Sequence, residues 1–148
     1  MNILVFMSDN RPISKTKECA EYNSLVAYIN FIYYKEKGYD FIYYQPYLND
    51  DKKIELYNCI DYNTGNCRHA SWSKLLSSQK ALKEHYEYVV YIDYDCIFHN
   101  IEQRIEMFID KSKQNEMVFF NNAPWNYDLP CCGFYIIKNT QKIKRNII

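Results

Sequence analysis

Nowhere in the 148 residues does an apolar run approach the roughly 20 residues that a membrane-spanning helix needs. The amino-terminal stretch MNILVFMSDNRP is apolar only briefly and lacks the charged start and longer apolar region of a secretion signal. An excess of one charge is missing too: 18 Lys plus Arg stand against 18 Asp plus Glu. That balance removes any general attraction to polyanions and argues against nucleic acid as a main partner. The six cysteines (Cys19, Cys59, Cys67, Cys96, Cys131 and Cys132) form no CxxC pair and no zinc-like pattern with the three histidines. Adjacent Cys131 and Cys132 could bridge each other only with strain, so free thiols in a reducing compartment are expected. There is no repeat and no low-complexity segment. The expectation is a cytoplasmic protein with no membrane span.

What is present suffices for one domain, expected over residues 1–148, with a mass of 17.9 kDa and 48% hydrophobic residues. The sixteen tyrosines come with many Asn, Ile and Lys and reflect mainly an AT-rich coding bias. Ile3 to Met7 reads as a first strand, closed by the polar loop Ser8-Asp9-Asn10 and Pro12. From Thr16 to Lys37 the spacing turns helical, with Tyr22, Leu25, Val26, Ile29, Ile32 and Tyr33 at three- and four-residue steps and Gly38 as the stop. Asp40 to Tyr44 is a second strand. A short helix is expected near Lys52 to Tyr57 and a loop over Asp61 to Asn66. A second helix begins at Ser71, a good N-cap, and runs through Leu82. Ile101 to Ile109 is helical in spacing, and Glu116 to Phe120 is a short strand. A loop with Pro124, Trp125 and Pro130 leads to a last strand, Phe134 to Ile137. Strands alternating with helices predict an α/β fold, a mostly parallel Rossmann-like sheet with helices on both faces. In such sheets ligands sit beyond the carboxyl ends of the strands.

The stretch YVVYIDYDCIFHN, Tyr88 to Asn100, carries the chemistry. Its first five residues read as a buried central strand, and two aspartates, Asp93 and Asp95, follow at its carboxyl end. Removing two nearby carboxylates from water without a counter-ion costs roughly several kcal/mol, so a cleft and a cation are expected there. In extended backbone, residues two apart project to one face, which would let both carboxylates converge on one ion, although a turn at Tyr94 would alter that. Carboxylates are hard ligands suited to Mn²⁺ or Mg²⁺, which keep positions open for phosphate oxygens.

The run RHASWSKLLSSQKALKEHYEYVVYIDYDCIFHN resembles a nucleotide-diphospho-sugar glycosyltransferase of the GT-A fold. It is most similar to the galactosyl-, mannosyl- and xylosyltransferase group, with a W-x-K helix followed by a strand that ends in D-x-D. YNSLVAYINFIYYKEKGYDFIYY resembles that group's helix-to-second-strand junction, and CCGFYIIKNT its N-x-G strand. The resemblance implies transfer of a hexose or pentose from a nucleoside diphosphate sugar to a hydroxyl on a glycan, protein or lipid. It also implies that Asp93 and Asp95 hold the metal against the donor diphosphate. Lys74, the W-x-K lysine, is implied near the donor, and Ser8 and Asp9 follow the strand that contacts the nucleoside. Trp72 is expected to pack its helix onto the sheet, and Arg68 to solvate its loop.

Two departures go with it. The group's Asn before the last glycine is Cys131 here. The segments that bind acceptor in the group, with a late metal-binding histidine, have no counterpart, so the domain is expected to be incomplete at its C-terminus. His99 lies too near the D-x-D to be that ligand, and no nucleophile or base is identified. A nucleotide-binding remnant without catalysis is an alternative reading. A D-x-D phosphohydrolase is a weaker one, because Ile97 stands where it needs Thr or Val.

Overall fold

The structure, a computed structural model, describes residues 1–9, 11–14, 21–45, 72–112 and 115–147. The expectations for residues 16–20, 52–57 and 61–66, and for Asn10, Arg68, Ser71 and three cysteines (Cys19, Cys59 and Cys67), lie outside them.

Five strands form one sheet. β1 (Ile3–Ser8) is flanked by β2 (Asp40–Tyr44) and β3 (Tyr88–Ile92), both parallel to it. β5 (Asn126–Lys138) pairs antiparallel with β3, and β4 (Met117–Asn122) closes the edge antiparallel to β5, giving the order β2-β1-β3-β5-β4. The core of the sheet is thus parallel, and β5 alone runs against it.

The strands read as unbroken apolar runs because both faces are covered. Ile3, Val5, Met7, Val90 and Ile92 pack on one face against α1 (Tyr22–Lys37) and α3 (Ile105–Lys111). Leu4, Phe6, Val89 and Tyr91 pack on the other against Ala81 and Leu82 of α2 (Ser73–Lys83) and Ile143 of α4 (Gln141–Ile147). No helix of the described residues is long and apolar enough to cross a membrane.

Four local expectations are corrected. In α1 the buried face is Asn23, Ser24, Val26, Ala27, Asn30, Tyr33 and Tyr34, while Tyr22, Leu25, Ile29 and Ile32 lie at the surface. The helix is apolar on both sides, so periodicity alone could not choose between them. Trp72, expected against the sheet, is 47% exposed at the N-cap of α2. The expected loop around Pro130 is the outer arm of the β4–β5 hairpin, where Pro130 sits opposite Asn121 between two register shifts. An edge pair with bulges is where a strand accommodates proline. Finally, α4 was not foreseen. Thr140 caps it, its Oγ1 accepting from the Ile143 N–H at 3.2 Å.

Candidate functional site

The parallel arrangement brings the carboxyl ends of β1 and β3 side by side, and the reversed β5 delivers its Cys131-Cys132-Gly133 segment to the same end. Asp93 is fastened there through its backbone, its N–H donating to the Gly133 carbonyl at 2.7 Å. Beyond it the chain does not stay extended. The Cys96 N–H returns to the Asp93 carbonyl at 3.1 Å, making a tight turn around Tyr94 and Asp95. The alternative of a turn at Tyr94 therefore holds, and the two carboxylates are presented by that turn instead of by a shared strand face.

They are held very differently. The Asp93 carboxylate is partly buried and fully engaged: Tyr91 OH donates to Oδ1 at 2.8 Å, the Tyr94 N–H approaches Oδ1 at 3.3 Å, and Lys74 Nζ pairs with Oδ2 at 3.2 Å. Lys74 reaches in from the first turn of α2, 16% exposed, and also donates to the Cys132 carbonyl at 3.3 Å while lying 5.1 Å from the centre of the Tyr91 ring. Tyr91 is itself stacked on Tyr135, 4.9 Å between centres. Burial, with Asp93 beside it, pushes the Tyr91 hydroxyl far above its ordinary range and keeps it a donor. Asp95, by contrast, is exposed, and the Cys96 thiol donates to its Oδ1 at 3.6 Å. Burial first, then the charges of Asp95 and Asp93, push the Cys96 thiol up to about 12, so it stays protonated at neutral pH. The carbonyl of Cys96 is in turn fixed by Asn30 Nδ2 of α1 at 2.8 Å.

The β1 loop stands on the other side of the turn. Ser8 does not face the mouth. It is buried, 3.1 Å from Ser73 Oγ, and accepts from Ser77 Oγ at 2.8 Å, tying β1 to α2. Asp9 is buried as well and is gripped by Arg11, whose Nε and Nη2 reach its two oxygens at 3.0 and 2.5 Å. What the loop offers outward is therefore the Arg11 guanidinium, 4.6 Å above the Tyr94 ring. The sequence reading missed Arg11 and Tyr91. Arg11 had a usable signal, since an Asp two residues before it is the pattern of a local side-chain turn. Tyr91 gave none, because it reads as one more apolar strand residue.

Of the predicted site residues, the fold pairs Lys74 with Asp93 and sets Asp95 on the same turn, its Oδ1 toward the Cys96 thiol, while Ser8 and Asp9 are buried. Among the described residues no third His, Cys, Asp or Glu joins the aspartates in a metal-binding group. Two carboxylates from one turn nevertheless fit a hard divalent cation that keeps its other positions for phosphate and water. On the opposite face of the sheet the same segment borders a cleft of about 460 Å³, lined by Ile92, Cys96, Phe98, His99, Phe120 and Phe134 among others. The described cysteines, Cys96, Cys131 and Cys132, are free thiols, as expected.

No known family model matches the chain, and no curated protein matches it. Among solved structures it is similar to a glycosyltransferase involved in the glycosylation of the major capsid of PBCV-1, at a TM-score of 0.66 and 18% identity. The match takes in 99% of this chain and 64% of that one. The chain thus spans under two thirds of that enzyme, and the fold it shares with it is a glycosyltransferase fold.

Proposed function

We propose that the protein transfers a sugar from a nucleoside diphosphate sugar to a hydroxyl acceptor, with Asp93 and Asp95 holding Mn²⁺ or Mg²⁺. The observation that carries the reading is the turn at the end of β3, which holds both aspartates, with Lys74 paired to Asp93, beyond the parallel strands of a glycosyltransferase fold. When bound, such a cation neutralises the diphosphate and eases its departure.

The chain's own residues have definable tasks in this reading. Tyr91 and the Gly133 carbonyl fix Asp93 in place. Lys74 sets a positive charge beside it, and Arg11 offers a planar cation toward the nucleotide side. Both cations suit an anionic donor. The hydroxyl acceptor, on a glycan, protein or lipid, is the one that the resemblance to the galactosyl-, mannosyl- and xylosyltransferase group implies.

A thermal-shift titration with UDP and GDP sugars, with and without Mn²⁺, tests the reading on wild type and an Asp93→Ala/Asp95→Ala variant. A donor at about a hundred times its Kd should stabilise wild type by about 2.7 kcal/mol, in a metal-dependent way, and should leave the double variant unshifted. No shift with any donor would end the proposal. A shift that survives in the double variant would move the site elsewhere.

A further inference from the structure

Lys74 and an incoming cation compete for the same carboxylate. The lysine holds Asp93 Oδ2 at 3.2 Å, and with Tyr91 and Tyr94 on Oδ1 the described contacts occupy both oxygens. Asp95, exposed, has no ion-pair partner among the described residues. A divalent cation that arrives alone must therefore share Asp93 with a lysine charge, at close range and partly shielded from water, where like charges repel more strongly than in bulk solvent. A cation that arrives with a diphosphate meets a different balance. The Lys74 ammonium can turn from Asp93 to a phosphate oxygen while it keeps its contacts to the Cys132 carbonyl and the Tyr91 ring. It has three donors to distribute, so the exchange loses no hydrogen bond.

Resting on the donor-site reading above, we infer that Lys74 is the residue that couples metal binding to nucleotide binding. It is a resident counter-ion that discourages the bare metal and rewards the metal together with a nucleoside diphosphate. Asp93 is thereby kept paired in the empty protein and released only when an anion replaces it as partner. The coupling is reciprocal, so the metal raises nucleotide affinity by the same factor that the nucleotide raises metal affinity.

The test counts free Mn²⁺ by electron paramagnetic resonance, with Mn²⁺ alone and then with UDP or GDP, corrected for the metal the nucleotide binds in solution. Wild type is compared with Lys74→Met and with Lys74→Gln, which keeps a donor to Asp93 and Cys132 without the charge. Wild type should show a nucleotide-dependent gain in Mn²⁺ affinity of about tenfold or more. Both variants should bind Mn²⁺ alone about threefold or more tightly than wild type, and their gain with nucleotide should shrink by a similar factor. Loss of structure alone would weaken bare Mn²⁺ binding, the opposite sign. Variants that melt as wild type does and bind bare Mn²⁺ no more tightly overturn the coupling role while leaving the donor site intact. A wild type that binds no Mn²⁺–nucleotide pair overturns the donor-site reading and this inference with it.

Discussion

Tyr91 occupies the position on which the geometry of Asp93 depends. Its ring is locked between Tyr135 and Phe6, 4.9 and 5.4 Å away between centres, so its hydroxyl has one direction to point, and that direction ends on Asp93 Oδ1. Tyr91→Phe keeps the packing and removes the donor. It should cost about 1.5–3 kcal/mol of folding stability, as expected for a hydrogen bond to a charged group. Urea unfolding checks that value, and a metal-dependent donor shift at least as large as in wild type would deny Tyr91 its positioning role. At this scale the sequence showed where negative charge gathers, because a strand followed by carboxylates is a local pattern. It could not show that Asp93 is bound by Lys74 and Tyr91 whereas Asp95 is open. That asymmetry depends on which strand face meets α2, and Ser8, a plausible mouth residue by position, is turned inward for the same reason.

Helix α1 ends where Gly38 adopts φ 79°, the left-handed conformation, and its N–H returns to the Lys35 carbonyl at 3.2 Å. A methyl group placed on Gly38 would meet nothing within 4 Å, so the penalty of Gly38→Ala is conformational only, about 1–2 kcal/mol. Gly133, with no left-handed strain, differs: an added methyl meets Cys131 Sγ and Cys96 Sγ at 3.5 Å, ordinary contact distances. Thermal melts should therefore show Gly38→Ala as the more destabilising of the two, and the reverse order would contradict this assignment. The stop of α1 was legible because glycine after basic residues is a strong local signal, whereas its start was not: the helix begins at Tyr22, after an extended Glu21, and not at Thr16. Its inner face was not, because Asn23 and Asn30 lie in the core while leucine and isoleucine face outward.

The whole molecule hangs together across long stretches of chain, and one such tie gives a pH dependence. Tyr39, after α1, donates its hydroxyl to Glu106 and accepts from the Ile105 N–H at 3.2 Å, docking α3 onto the α1–β2 junction. Burial works to raise the Glu106 carboxyl, but hydrogen bonds from Tyr39 and Arg104 outweigh it and leave the carboxyl below its ordinary value of 4.5. A depressed carboxylate contributes stability that is present above 4.5 and is lost as pH falls through the folded value. The difference in melting temperature between wild type and Glu106→Gln should thus be largest near neutrality and should shrink as pH falls below the ordinary 4.5. A difference constant across that range would rule Glu106 out. The alternation of strands and helices announced the parallel layers. The direction of β5 was hidden, because hairpin pairing is set by partners and turns that no short window contains. That reversed strand has a consequence for how the chain emerges during synthesis. Until residues 126–138 leave the ribosome, β3 is an apolar strand with one edge unpaired, and Asp93 lacks the carbonyl that holds its amide. Such an edge is a target for wrong pairing, so β5, the last of the described strands, both covers that edge and completes the mouth.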